Sequence, residues 1–305
     1  MNVPYIVKSP SSIALLESVK RLANFPTTVL IEGELGSGKK MIAEKIHHLS
    51  NRTNMPFVKI SCGSIVEREY DMESFGTDRT AIPTGKKVAG LVETADHGTL
   101  FLDEVGELSI KLQAQLLTFL QDRENDRGGG SWSKKLTIRI IASSTIPLIQ
   151  LVKEKKFRED LYYRLNVASI AVPPLRDRPE EILPLINHYL LYFCKEYQIK
   201  KWFKNETLEV LKNYSFPGNI LELRNLVEML CVNTATECIL PSDLPEYIVP
   251  KPVSVGSLES QVSEFESQLI SRALKMEGSI RKAATRLQIS HATLLRKMKK
   301  WGIEK

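Results

Sequence analysis

The 305-residue sequence is short of the devices on which small secreted and membrane proteins rely. Its four cysteines, Cys62, Cys194, Cys231 and Cys238, lie far apart and form no CxxC pair. Five scattered histidines add no ligand spacing, so reduced thiols in a cytoplasmic protein are a simpler reading than a zinc site. No apolar run approaches the roughly 18 residues of a membrane span, so no membrane partner is expected. The opening "MNVPYIVKSP" has no basic stretch leading into an apolar core, and a signal peptide is not expected. No internal repeat is visible. With 43% hydrophobic and 26% charged residues, the chain reads as an ordinary soluble protein of two or three compact units.

Acidic residues are scarce in one place. Residues 281–305 hold eight basic side chains against the single acid Glu304, a local charge of +7 within a whole-chain net of +6. The other 280 residues therefore sum to −1. A solvated basic face is one reading of this tail, and contact with a polyanion is the other.

From about residue 28 to 172 short apolar bursts alternate with longer amphipathic stretches. "TTVLIEG", "PFVKISC", "GTLFLDE" and "LTIRIIASS" have strand length. "KKMIAEKIHHL" and "IKLQAQLLTFLQD" read as helices, the second with Leu112, Leu116, Leu117 and Leu120 on one face. This alternation predicts an α/β fold, a parallel sheet with helices on both faces. Residues 1–172 form that unit, and beyond "IAVPPLRDRPEE" the strands are expected to stop. Residues 173–243 read as a helical subdomain broken at "SFPGN", and 244–262, with three prolines, as a linker. A last helical unit covers 263–305.

"GELGSGKK" follows the first strand. Gly33, Gly36 and Gly38 permit a tight turn and close backbone approach to phosphate oxygens, and a helix opening at Lys39 adds its positive end. Lys39 would reach the β- and γ-phosphates of a nucleotide. The candidate nucleotide-binding residues are thus Gly33, Glu34, Leu35, Gly36, Ser37, Gly38, Lys39 and Lys40. Lys40 stands where many such loops carry the Ser or Thr that helps hold magnesium. "GTLFLDEVGEL" ends a strand in adjacent carboxylates. Asp103 is the candidate metal ligand, often acting through water, and Glu104 the candidate base for an attacking water. The bland alternatives are an ordinary strand-to-helix turn and an exposed acidic turn. Loop and carboxylates in this order favour ATP and Mg2+ as cofactors.

These motifs, together with "FREDLYYRLNV", "PPLRDRPEEI" and "FPGNILELRN" in fixed order, resemble the bacterial enhancer-binding regulators. These are AAA+ ATPases that act on RNA polymerase carrying sigma-54, and the likeness runs almost end to end. The resemblance implies an AAA+ sheet, an α-helical lid and a C-terminal helix-turn-helix. It implies a phosphate loop normally ending Gly-Lys-Glu, so that Lys40 departs at a position the family already leaves without a hydroxyl. By position Arg158 and Arg164 match arginines reaching a neighbour's nucleotide in a hexamer-like ring, although unaided both read as surface ion-pair formers. Ser144 and Thr145 fit the polar sensor at a strand tip beside Asp103.

The pattern breaks in three places. Thr80–Gly85, "TAIPTG", aligns with the family's GAFTGA loop that touches sigma-54, and Pro83 fixes φ and removes a donor there. Leu221 stands in place of an arginine that senses the γ-phosphate, with Arg224 nearby as the candidate substitute. Ser61 replaces the asparagine that restrains the catalytic glutamate.

In the tail, "EFESQLISRALKM" places Phe265, Leu269, Ile270, Ala273 and Leu274 on one face, suited to packing against a second copy. Gly278 ends this helix, and a short second helix turns Ala283, Ala284 and Leu287 inward. Ser290 caps a third helix whose Leu294, Leu295 and Met298 face the core. Ser290, His291, Thr293, Arg296, Lys297, Lys299 and Lys300 are the candidate contacts to double-stranded DNA. The arrangement resembles the Fis-type domain of the family, with Gln288 in place of a turn glycine. A basic hairpin that aids solubility is the alternative.

The expected function is an ATP-binding, DNA-binding transcription regulator whose ring controls RNA polymerase holoenzyme, in the sigma-54 form or another. A AAA+ motor or chaperone without a promoter role is the runner-up. With no sensor segment ahead of residue 6, regulation is expected in trans or from another part of a longer chain.

Overall fold

The computed structural model describes residues 6–64, 92–124, 137–249 and 258–301. The Thr80–Gly85 loop lies outside them. The chain divides into two compact units, Met1–Asp243 and Leu244–Lys305.

The first unit is built on strands β1 (Val29–Glu32), β2 (Phe57–Ser61), β3 (Thr99–Asp103), β4 (Arg139–Ser144) and β5 (Ala168–Ala171). They pair in parallel in the order β2-β3-β4-β1-β5. Alternation along each strand sorts the side chains between two cores. Leu30, Leu100, Leu102, Ile140 and Ala142 face one side, covered by helix α3 (Ile110–Glu124) through Leu112, Leu116, Leu117 and Leu120. Val29, Ile31, Phe101, Ile141 and Ile170 face the other, covered by α1 (Pro10–Ala23) and α2 (Lys39–His48) through Leu15, Val19, Ile42, Ala43 and Ile46. Each fully buried side chain of this kind contributes about 1.5–3 kcal/mol.

Sequence chemistry sets the ends. Ser9 caps α1 by accepting the Ser12 N–H at 3.1 Å, with Pro10 in the first turn. Arg139, buried at the start of β4, donates to the carbonyls of Leu22 and Ala23 at the other end of α1. Burial pushes its pKa down to about 10, still well above neutrality.

Helices α4 (Leu148–Lys153) and α5 (Glu159–Leu165) precede β5. The lid follows, with α6 (Ile182–Glu196) packed on α8 (Asn219–Asn233), and α7 (Asn205–Lys212) between them in sequence. The expectation that strands stop before the lid is corrected here. Trp202–Phe203 pairs in parallel with Cys238–Ile239 and buries Phe203 and Ile239. Two-residue strands are too short to display a period of two.

The second unit holds α9 (Leu258–Glu277), α10 (Ile280–Arg286) and α11 (His291–Trp301). The helix starts at Leu258, so the last five residues of the expected linker are helical, beyond its final proline and glycine. Ile270, Ala273, Ala283, Ala284, Leu294 and Met298 form the core. Two expectations are corrected. Ile270 and Ala273, placed on the face for a second copy, turn into the unit's own core, while Phe265 and Leu269 of that face stay exposed. Leu295 is also exposed, because the adjacent Leu294 already takes the inward position. Among the described residues no helix is long and apolar enough to cross a membrane.

Candidate functional site

The loop from Gly33 to Gly38 joins β1 to α2. Gly36 and Gly38 have φ of +72° and +104°, where a side chain is strained. A Cβ on Gly36 would also come within 2.3 Å of the Gly218 carbonyl oxygen. All six carbonyls of this loop already accept hydrogen bonds. Lys39 Nζ donates to Gly33 O at 2.8 Å and to Glu34 O at 3.3 Å. Asn219 Nδ2 donates to Leu35 O at 2.9 Å, the Ile220 N–H to Gly36 O at 3.0 Å, and Arg178 Nη2 to Ser37 O at 2.8 Å. Gly38 O takes the Ile42 N–H inside α2. Three of these donors belong to Arg178, at the entrance to the lid, and to the first turn of α8. The negative ends of the loop peptides are thereby occupied, and Gly38 caps α2 without a side chain. The first N–H groups of the helix are left for an external anion. That chemistry fits a nucleotide phosphate.

Arg178 is itself buried in an ion pair with Glu181, 3.4 Å apart. Glu181 Oε1 accepts from the Lys8 and Ser9 N–H groups and from Ser9 Oγ. One buried pair thus ties the start of α1, the phosphate loop and the lid together. On the surface Arg176 grips Glu34 with two hydrogen bonds of 2.8 and 2.6 Å. That hydrogen bonding, with help from Asn219, pulls the Glu34 pKa down to about 2.

Sheet order brings the carboxylates to the loop, since β4 alone separates β3 from β1. Lys39 Nζ lies 3.0 Å from Glu104 Oε1 and donates to Thr145 Oγ1 at 2.7 Å. Thr145 in turn donates to both Glu104 oxygens, from Oγ1 at 2.8 Å and from its N–H at 2.7 Å. Asp103 accepts from Ser143 Oγ at 2.7 Å and pairs with Lys59 Nζ at 2.6 Å. Ser143 Oγ also takes the Glu104 N–H at 3.1 Å, which helps hold Glu104 at φ +60°. Lys39, Asp103, Glu104 and Thr145 are therefore brought together.

Other candidates fall elsewhere. Ser144 is buried and donates to Ile146 O at 2.6 Å, away from the carboxylates. Alternation along β4 puts its neighbour Ser143 on the Asp103 side, a choice the period of two makes legible. Lys40 reaches Glu44 at 3.6 Å on the outside of α2. Arg158 is paired with Asp160 at 3.0 and 2.7 Å at the exposed start of α5, and Arg164 is half-buried in the last turn of that helix. The Arg224 guanidinium lies 6.0 Å from the Phe193 ring centroid and 3.9 Å from Glu228, within the lid. The lid side chain beside the loop is Leu221, whose Cβ would be 2.9 Å from a Cβ on Gly36. Lys59, Ser143, Arg178, Glu181 and Asn219 were not singled out from the sequence. Ser143 is legible from strand alternation. The others reach partners far along the chain, in addition to the Arg178–Glu181 pair three residues apart, and no local pattern marks them.

In the second unit Ser290 accepts the Thr293 N–H at 3.1 Å and caps α11. Gln288 has φ +54°, so the turn does need the conformation glycine adopts freely. His291, Arg296 and Lys299 are exposed. Thr293 is half-buried with its hydroxyl 2.8 Å from Ser290 Oγ, and Lys297 is drawn 2.5 Å from Glu266 on α9. Lys300's side chain lies outside the described residues.

A family model of the sigma-54 interaction domain matches residues 5–171. The chain belongs to that family. Within the sigma-54 interaction family its further segments are also matched, residues 176–260 by an AAA+ ATPase lid domain and 255–304 by a helix-turn-helix domain. Regulatory protein AtoC of Escherichia coli strain K12 is 38% identical over 312 residues, covering 98% of this chain and 68% of AtoC. The Nif-specific regulatory protein of Azospirillum brasilense is 41% identical over 224 residues, covering 73% of this chain but 36% of that protein. Among solved structures, NtrX from Brucella abortus in complex with ATP superposes with a TM-score of 0.70 at 29% identity, over 99% of this chain and 70% of NtrX.

Proposed function

We propose that this chain is a DNA-binding transcription regulator that hydrolyses ATP to act on RNA polymerase holoenzyme carrying sigma-54, in the cytoplasm. The observation that carries the reading is the coupling of Lys39 to Glu104 through Thr145, beside a loop whose carbonyls are all engaged. Magnesium held at Asp103 would neutralise charge on phosphate oxygens. Lys39 and the opening of α2 bind the phosphates. As Lys39 turns to a phosphate it loosens its grip on Glu104, which is then available to take a proton from water. Arg158 and Arg164 act on a neighbour's nucleotide in a ring, which requires Arg158 to leave Asp160. Arg224 serves from the lid.

The helix-turn-helix unit, residues 263–305 with the first five residues of α9, reads duplex DNA through α11 as a dimer. The AAA+ sheet within 1–172 and the lid within 173–243 supply the motor. Family membership and the likeness to AtoC support this reading over a motor without a promoter role.

Transcription from a candidate promoter, with purified sigma-54 polymerase or the housekeeping form, tests it. Open-complex formation that needs both ATP and the sigma-54 form is expected. An ATP-dependent effect on the housekeeping form alone would assign the chain to another polymerase. No effect of ATP on either would overturn the proposal.

A further inference from the structure

Both oxygens of Asp103 are engaged. Ser143 Oγ donates to Oδ1 at 2.7 Å, and the Lys59 ammonium sits 2.6 Å from Oδ2. Lys59 lies on β2, one of the two edge strands of the described sheet, two residues before Ser61, which pairs in register with Asp103. The two lysines of the site differ in freedom. Lys39 is 6% exposed and fixed by two loop carbonyls and Thr145. Lys59 is 37% exposed, and among the described residues Asp103 is its ion-pair partner.

An extended lysine stem on a sheet edge swings out at little cost, whereas the Ser143 hydroxyl is fixed within a fully buried strand. Lys59 therefore has the mobility of an exchangeable counter-ion and Ser143 that of a permanent support. Lys40, at the loop position nearest in sequence, does not share this role because it faces Glu44.

We infer that Lys59 is the resident counter-ion of Asp103 and gives up the carboxylate when a divalent cation is held there. The inference rests on the nucleotide reading above and adds a residue to it. Two consequences follow from charge alone. Without a divalent cation, Lys59 keeps Asp103 from repelling phosphate, so nucleotide binding survives its absence. With one present, Lys59 competes for Asp103 and blunts the gain. Removing the ammonium moves both in the same direction, raising the thermodynamic coupling between divalent cation and nucleotide.

The test is equilibrium binding of a fluorescent ATP analogue to the full chain, in EDTA and at saturating magnesium. The readout is the ratio of the two dissociation constants. Lys59→Ala is expected to raise that ratio about fivefold, the scale of a half-exposed ion pair. Lys59→Arg, which keeps the charge, is expected to leave it near the wild-type value. Melting temperatures of both variants report whether the fold is retained, and Lys59→Met, which keeps the stem, replaces the alanine variant if it is not. An unchanged ratio in the charge-removing variant, with tight binding in the wild type, overturns the counter-ion role and leaves the nucleotide reading standing. No binding of the analogue to the wild-type chain under either condition overturns both.

Discussion

The two compact units handle polar groups in opposite ways. In the α/β unit with its lid, charged and amide side chains are buried and hydrogen-bonded to one another and to backbone carbonyls. Lys39, Arg139, Arg178, Glu181 and Asn219 all lie inside, and each meets partners far away in sequence. In the helix-turn-helix unit the described core is wholly apolar, and His291, Arg296 and Lys299 stand in water. The difference fits the roles proposed above for each unit. A site that must place a base and a lysine to within a fraction of an ångström is held by buried hydrogen bonds. A surface that must meet a long polyanion needs only charge in the right place.

The sharpest way to break the comparison is at the buried site. Glu104→Gln is expected to keep nucleotide binding and lower turnover by about 10²–10⁴-fold, the usual worth of a general base. Turnover at the wild-type rate in a steady-state assay would remove Glu104 from that role.

Next in size is the buried pair that joins α1, loop and lid. Arg178→Met leaves Glu181 without its cation and the Ser37 carbonyl without a donor, and is expected to destabilise the first unit by about 3–5 kcal/mol. Urea unfolding followed by tryptophan fluorescence measures it, and a loss below about 1 kcal/mol would mean that the pair is solvated in solution.

The exposed face should respond differently. Arg296→Ala is expected to cost about 1–3 kcal/mol on a selected duplex and little on others, if the side chain meets a base edge. Lys299→Ala should weaken all duplexes alike and reduce the salt slope by about one. Equal losses for both variants on every duplex would reduce α11 to a nonspecific anchor.

Gln288→Gly addresses the turn between α10 and α11, where φ is +54°. Relief of that conformation is expected to stabilise the second unit by up to about 1 kcal/mol, read as a rise in its melting temperature. A fall would show that chain entropy outweighs the strain.

The smallest effect concerns Glu34. Its folded pKa of about 2 lies below the ordinary 4.5, so its contribution is fully present above pH 4.5 and is lost as pH falls through 2. The pair with Arg176 is exposed, and screening keeps the change to about 1 kcal/mol or less. Arg176→Ala should flatten that part of a stability-versus-pH curve, and an unchanged curve would assign the acid transition to other carboxylates.

Much of this was legible in the residues. β1 to β4, α2 and the leucine face of α3 follow from periodicity, because a strand buried on both faces reads as an apolar run and a helix on one face as a stripe. Gly36, Gly38, Lys39, Asp103 and Glu104 announce themselves through loop chemistry at strand ends. Thr145 was found through resemblance. Ser144 was assigned to the wrong side for want of the register of β4, and Leu295 was placed inward because a helical stripe does not say how wide the covering surface is.

The sequence by itself determined which elements form and which residue types gather at the end of the sheet, since these depend on contacts within a few residues. Only the tertiary structure decided how the site is held. Lys59 reaches Asp103 across 44 residues, Arg178 reaches Ser37 across 141, and Asn219 reaches Leu35 across 184. Such pairs leave no periodic trace, because either partner alone is an ordinary polar residue. Folding creates the low-dielectric neighbourhood in which each needs the other.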